Sequence, residues 1–271
     1  MRLPLLKCSS SRAASFFLLF HFFGFIIYDM EIFKNVAEYY DELYPVSEDQ
    51  KNFYKNETKS LKNPVRFLNI GCGTGTFEIY LSKLGADVTG LETCPDFIES
   101  ANRKSRTMLM AVRFFQMSYL EMARYLGKSF YNVISVLDGR IIFIHDKTLL
   151  AKFFYDCRQL LSENGKIIIS LPNFEKYDSE NFELPEKESI RVKLFSGIRT
   201  NQSGKSEMFQ KIATGNGKIL PVAENVPVQK ITAGQIRNLA EKSGFESVRF
   251  YSGFDYEPLK SDSDRVVAVL S

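Results

Sequence analysis

Residues Leu68 to Leu81 read LNIGCGTGTFEIYL: an apolar run stops at Gly71, Gly73 and Gly75, and a second apolar run begins with a different period. Upstream, VRFLNI (Val65 to Ile70) is short, apolar and bounded by turn signals, which predicts a buried strand. Downstream, Phe77, Tyr80, Leu81 and Leu84 fall at i, i+3, i+4 and i+7, one face of a helix that Gly85 closes. A strand that enters a helix through glycines restricts the chain to α/β architectures. It also places the loop beyond the carboxyl end of a strand, where such sheets bind ligands. Glycine there lets backbone approach a ligand and adopt positive φ, and the helix start offers free N–H groups to an anion.

The same alternation continues along the chain. FKNVAEYYDELYP predicts a short aromatic helix ended by Pro45, and a polar helical stretch follows as far as Pro64. DVTGLE (Asp87 to Glu92) is a second strand, and Pro95 opens a helix that carries Phe97, Ile98 and Ala101. VRFFQM is a strand, SYLEMARYL a short helix and YNVISVLDG (Tyr131 to Gly139) a strand ending in a turn. A helix is expected from Asp146 to about Asn164 with Gly165 as its cap, then the strand KIIISLPN. Thr232 and Gln235 form a capping-box pattern before Ile236, Leu239 and Ala240, Gly244 stops that helix, and VRFYSGF and RVVAVL end the chain as strands. Strands alternating with helices imply a mostly parallel sheet covered on both faces. Phe174 to Lys230 breaks the rhythm, with turn residues and strand-like IRVKLF and EMFQKIA, and reads as a β-rich insertion over the sheet edge.

Composition narrows the functional classes. Among 271 residues 45% are hydrophobic, which suits a globular chain, and a net charge of +3 gives no support for a nucleic-acid partner. Cys8, Cys72, Cys94 and Cys157 show no metal-ligand spacing, so neither a metal site nor a disulfide framework is expected, in keeping with a reducing, cytoplasmic setting. Before residue 30, Arg2, Lys7 and Arg12 precede FFLLFHFFGFIIY. The first reading of the break at Asp29–Met30 is an extension ahead of a true start at Met30. An uncleaved anchor, which would bring in a membrane, and a signal peptide are the other readings.

The glycine spacing narrows the ligand. A nicotinamide or flavin fingerprint is G-x-G-x-x-G, whereas here the third glycine comes one residue early and Thr76 stands in its place. An acid, Glu92, closes the next strand, where a carboxylate can accept two hydrogen bonds from the vicinal hydroxyls of a ribose. With these features the chain resembles the class I S-adenosylmethionine-dependent methyltransferases from about Tyr40 to Ser271. LNIGCGTGTFEIYL looks like their first motif and LETCPDFIESA like the second. FYNVISVLDG and FYDCRQLLSENGKIIISLPN look like their fourth and fifth strands with the helix between. ITAGQIRNLAEKSGFESVRFYSGFD with RVVAVL resembles their usual end.

The resemblance implies a doubly wound Rossmann-like, mostly parallel seven-stranded sheet with an antiparallel last strand, plus the β-rich insertion. It divides the chain into an extension (1–29), a helical cap (30–64), a methyltransferase domain (65–173 and 231–271) and an insertion (174–230). S-adenosylmethionine is the implied cofactor and a small molecule, methylated on O or N, the implied acceptor. Gly71, Cys72, Gly73 and Gly75 would let the loop pack against the donor's methionyl part and ribose. Glu92, followed by Thr93, would hold the ribose hydroxyls. Gln116, Met117 and Ser118 would border the adenine, and Leu137, Asp138 and Gly139 would lie near the sulfonium. Two positions depart from the pattern. Asn69 stands where an acid is common, and its amide oxygen can still accept from the donor's ammonium group without charge assistance. Ser118 stands where an Asp often binds the adenine amino group.

Blander roles stand beside these. Cys72 reads as a space-filler, Asp138 equally as a helix cap, and His145 before Asp146 as a polar residue at a helix start rather than a base. Tyr39, Tyr40 and Tyr44 read either as a lid over the donor or as a packed helix face. No catalytic residue is assigned, since methyl transfer from a sulfonium mainly requires alignment. Two rivals remain: a non-catalytic nucleotide-binding protein on this fold and an NAD-dependent oxidoreductase.

Overall fold

A computed structural model describes residues 34–106, 111–177 and 179–271; the segment before Met30, with Cys8 and His21, lies outside them. In chain order the strands are β1 Arg66–Ile70, β2 Asp87–Glu92, β3 Val112–Gln116, β4 Tyr131–Val136, β5 Leu161–Pro172, β6 Phe182–Glu188, β7 Val192–Thr200, β8 Ser206–Thr214, β9 Ile219–Pro227, β10 Val248–Tyr251 and β11 Arg265–Leu270. Seven of them form one sheet in the order β10-β11-β5-β4-β1-β2-β3, and β6 to β9 form a separate antiparallel sheet. Within the larger sheet β11 alone runs against its neighbours, pairing with β5 on one side and β10 on the other. This is the doubly wound sheet with an antiparallel last strand and a β-rich insertion.

Side-chain pattern explains the layering. β1, β4 and β11 are buried nearly throughout, as strands covered on both faces must be. Leu68, Ile134, Ile167 and Ile169 pack with Phe153, Phe154 and Cys157 of the Lys147–Leu160 helix. Phe67, Val133, Ile168 and Val267 pack with Phe53, Tyr54, Phe77 and Phe254 on the opposite side. Strand order reverses between β1 and β4, which are neighbours although β1 also pairs with β2. The loops after β1 and β4 therefore flank the switch point.

Two local expectations fail for physical reasons. The helix opened by Asp146 ends at Leu160 and not near Asn164, and Leu161 is already extended. Between Tyr131↔Leu161 and Val133↔Lys166 the register shifts. The intervening residues, with Asn164 at φ 59°, make a turn inside the strand, and Gly165 caps nothing. Leu84, expected on the inner face of the Thr76–Lys83 helix, is exposed, because the helix stops before it.

The insertion does not merely cover a sheet edge. Leu194 and Ile212 pack on Val36 and Leu43 of the N-terminal segment and on Phe97 of the Pro95–Ser105 helix. Arg191, in the turn before β7, donates to Glu42 at 2.7 Å and Glu38 at 3.0 Å. The N-terminal segment is thus held between the small sheet and the ends of the large one. Among the described residues no helix is long and apolar enough to cross a membrane.

The Glu48–Thr58 helix is anchored by a buried carboxylate. Glu57 accepts from Lys166 Nζ at 2.9 Å, Arg249 Nη2 at 2.8 Å and the Tyr256 hydroxyl at 3.2 Å. Burial alone would raise its pKa, but the bonds from Arg249 and Lys166 outweigh burial and hold it below the usual carboxylate range. Glu57→Gln is expected to cost about 2–3 kcal/mol at pH 7, since Lys166 and Arg249 keep their charges and lose the anion that balances them. The folded pKa is lowered, so this contribution is present above the unfolded value of about 4.3 and is lost as pH falls through the folded one. Urea melts of both proteins at pH 7 and pH 3.5 check this: the gap should narrow in acid, and a gap independent of pH refutes it.

Candidate functional site

The glycine loop is built to leave backbone bare. Gly71, Gly73 and Gly75 all have positive φ, at 77°, 57° and 75°. Gly71 and Cys72 donate to the Leu91 carbonyl at 2.8 and 2.9 Å, which ties the loop to the end of β2. The three glycines serve different neighbours. A Cβ on Gly71 would meet Arg140 at 2.8 Å and one on Gly73 would meet the Tyr40 ring at 2.6 Å. One on Gly75 would strike the Phe114 ring at 2.5 Å and Ala101 at 2.9 Å. Gly75 is therefore required for helix-to-strand packing behind the loop. Cys72 is buried, its sulfur against Gly90. Burial, then Glu78 and Glu92, push its thiol well above the ordinary range, so it fills space and is not a nucleophile.

Glu92 is 4% exposed and stitches the loop together. Its Oε2 accepts from Gly73 N at 3.0 Å, and its Oε1 accepts from Thr93 N at 2.8 Å and Cys94 N at 3.1 Å. Oε1 also takes the Thr93 hydroxyl at 3.4 Å and is filled, so the capacity left for an incoming hydroxyl lies on Oε2.

Asn69, at the end of β1, is 5% exposed. Its Nδ2 donates to Oε1 of Glu78, a fully buried residue on the Thr76–Lys83 helix. Asn69 Oδ1 and Glu78 Oε2 have no hydrogen-bond partner among the described residues. Burial pushes the Glu78 carboxyl up to about 7, against the opposing bond from Asn69.

Three cavities open at these loops. One of about 240 Å³ is lined by Asn69, Gly71, Cys72, Thr74, Leu137 and Asp138 together with Tyr40 and Tyr44. A narrow one of about 70 Å³ is lined by Gly71, Leu91, Glu92, Thr93 and Met117. The third and largest, about 370 Å³, lies under the small antiparallel sheet and is lined by Gly139, Phe143, Ser170, Lys187, Met208 and Gln210 among others. The first and third share Tyr44, Asp138, Lys187 and Arg265.

Most expected site residues therefore come together, though not all. Ser118 does not line a cavity; its hydroxyl accepts from Leu120 N at 3.3 Å within its own turn, and Tyr119 faces the narrow cavity instead. Gln116 points away to the Thr93 carbonyl at 3.4 Å. Asp138 is not a cap: it has φ 52°, and Gly139 occupies the cap position of the Arg140–Phe143 turn without side-chain help. Asp146 caps the Lys147–Leu160 helix by accepting from Thr148 and Leu149, and exposed His145 simply precedes it.

Sequence reading missed Arg140, Glu78, Asp41, Lys187 and Arg265. Tyr40 packs on Gly73, stacks on Tyr44 with centroids 4.7 Å apart and accepts from Arg140 Nη2 at 3.2 Å. Tyr40 and Tyr44 thus pack as a helix face does, with Tyr40 against the glycine loop. Arg140 lines both the narrow cavity and the large one under the small sheet. Burial works against its charge, and Tyr40 and Glu92 more than restore it. Asp41 accepts from Thr74, Thr76 and Lys104, which pins the N-terminal turn to the loop. Lys187 Nζ stands 4.4 Å from the Tyr44 ring centroid. Burial, opposed by Asp138 and aided by Arg265, lowers its pKa.

Comparisons with known proteins agree with this geometry. Residues 67–165 match a family model described as a methyltransferase domain. A putative methyltransferase of Geobacillus sp. strain WCH70 is 23% identical over 150 residues, 54% of this chain, and the chain spans 60% of that relative's length. Among solved structures, the CcbJ methyltransferase from Streptomyces caelestis superposes with a TM-score of 0.73 at 16% identity, covering 89% of this chain and 98% of that one. The sugar N-methyltransferase KedS8 from Streptoalloteichus sp. gives 0.62 at 16% identity, covering 99% and 98%. CalS10, an amino pentose methyltransferase from Micromonospora echinaspora solved with S-adenosylmethionine, gives 0.60 at 14%, covering 87% and 97%. At these identities the structures establish a shared fold.

Proposed function

We propose that this chain, which carries a class I methyltransferase domain, binds S-adenosylmethionine on its glycine loop and transfers the methyl group to an oxygen or nitrogen of a small molecule. The observation that carries the reading is the junction of two cavities at Tyr44, Asp138, Lys187 and Arg265, one beside the glycine loop and one under the small sheet. A donor and an acceptor held on the two sides would meet there. The residues fit the donor: Gly71 and Gly73, which carry no Cβ and are covered by the Arg140 and Tyr40 side chains that a donor would displace, a buried Glu92 whose Oε2 can accept from a ribose hydroxyl, and an unpartnered Asn69 Oδ1 for an ammonium group. Thr93 and Met117 would border the adenosine half, with Leu137, Asp138 and Gly139 beside the reacting end.

Bound S-adenosylmethionine supplies a methyl group already activated by its sulfonium charge. The chain's own task is alignment and exclusion of water, which the N-terminal turn and the small sheet perform by roofing the loops. Where the acceptor arrives protonated, Asp138 at the junction stands ready to take the proton. The aminosugar enzymes among the structural neighbours favour an acceptor of that size. The cavity of about 370 Å³ suits a single small molecule.

Thermal unfolding with ligands tests the reading. At a hundred times its dissociation constant, S-adenosylmethionine or its demethylated product should add about 2.7 kcal/mol, or roughly 5 °C for a chain of this size. NAD at equal concentration should do nothing. A shift with NAD alone would make the chain an oxidoreductase, and no shift with any of them would favour the non-catalytic reading.

A further inference from the structure

We propose that Glu78 is a positioning residue for the methyl donor: through Asn69 it sets an amide oxygen, backed by negative charge, against the donor's ammonium group. The inference rests on the donor reading above and adds to it a residue that touches no ligand.

Three observations carry it. Asn69 lines the cavity beside the glycine loop, and its one atom without a partner is an acceptor, Oδ1. The amide is held by Glu78, whose Oε1 takes the Nδ2 hydrogen. Glu78 is fully buried yet makes no ion pair among the described residues. The nearest cationic influence is Lys104, whose ammonium is already committed to Asp41, the Thr74 carbonyl and Thr76. A buried carboxylate without a cation is costly, and a cation one hydrogen bond away, beyond Asn69, repays that cost.

Protonation decides which way the amide points. An ionised carboxylate only accepts, so it selects Nδ2 and leaves Oδ1 buried and without a partner beside the cavity. A neutral carboxylic acid can donate to Oδ1 instead, which turns Nδ2 outward to face a cation with the wrong sign. Burial brings this change near pH 7. The groups that act on it are Asn69 from β1, Glu92 and Cys72 from the loops, Lys104 from the Pro95–Ser105 helix and Tyr54 from the Glu48–Thr58 helix. Glu92 opposes ionisation and Lys104 favours it. A bound ammonium favours ionisation, so the donor should lower the carboxyl's pKa and expel its proton.

Calorimetry of the full chain tests this with two ligands: the demethylated donor product, which keeps the ammonium group, and 5′-methylthioadenosine, which lacks it. At pH 6.5 a free α-amino group already carries its proton. Binding of the first ligand in buffers of different ionisation enthalpy should then release roughly half a proton or more. Glu78→Gln should lose that release and weaken the first ligand about tenfold while leaving 5′-methylthioadenosine unchanged. The double swap Asn69→Asp with Glu78→Gln moves the charge to β1 and should restore affinity without the proton release. Equal losses for both ligands, or no proton release in wild type, overturns the role of Glu78. Should Glu78→Gln not fold, the wild-type release and the double swap still decide. Failure of both ligands to bind wild type refutes the donor reading itself.

Discussion

Gly73→Val should bind no measurable S-adenosylmethionine, a loss of more than about a hundredfold, in a protein that still folds. Three effects combine at this residue. Its φ of 57° is one that a β-branched side chain adopts only with strain. The side on which a Cβ would stand is filled by the Tyr40 ring, 2.6 Å away, so a valine there would clash with Tyr40 and with any ligand that displaces it. Its N–H is the donor to Glu92 Oε2, and a turn distorted by strain would release that bond. The packing of the large sheet is remote from these events, because the loop lies beyond the carboxyl ends of β1 and β2; only the small cluster that holds Tyr40 is touched. Circular dichroism with calorimetry separates the outcomes. A folded variant with wild-type affinity would remove the glycine loop from the donor site.

Glu92→Ala should weaken the donor by roughly ten- to a hundredfold, the cost of one or two charge-assisted bonds to ribose. It should also lower the melting point, because Gly73, Thr93 and Cys94 would each lose an acceptor in a site that is 4% exposed. Unlike Glu78→Gln, this change should hurt 5′-methylthioadenosine as much as the full donor, since both contain ribose. Titration of the two ligands against the variant gives the check. A loss confined to the ligand bearing the ammonium group would place Glu92 elsewhere in the site.

The sequence was most informative where one local feature decides the structure. Three glycines between runs of different period marked the loop, Pro95 marked a helix start, and Thr232 with Gln235 form the expected reciprocal cap. Reading failed where distant parts of the chain decide. The end of the helix at Leu160 is set by how Lys166 registers against Val133, which no local pattern records. Glu78 looks like an ordinary solvated acid in TFEIYL until β1 brings Asn69 to it across nine positions. Tyr40 and Arg140 are a hundred residues apart, and Lys187 belongs to an insertion whose placement no helical or strand period foretells. The departure at Asn69 was legible as a missing charge, but its supply from the following helix was not.

β11 has a consequence for how the protein is made. The strand next to β5 in space is not the next in sequence: about 90 residues separate Pro172 from Arg265, and four of the intervening strands belong to the other sheet. During vectorial synthesis, β5 must wait with an open hydrogen-bonding edge while the whole small sheet emerges. Only when the RVVAVL segment arrives does it wedge between β5 and β10 and shut that edge. Such a late, long-range closure makes slow folding and dependence on holding chaperones the expected behaviour of the nascent chain.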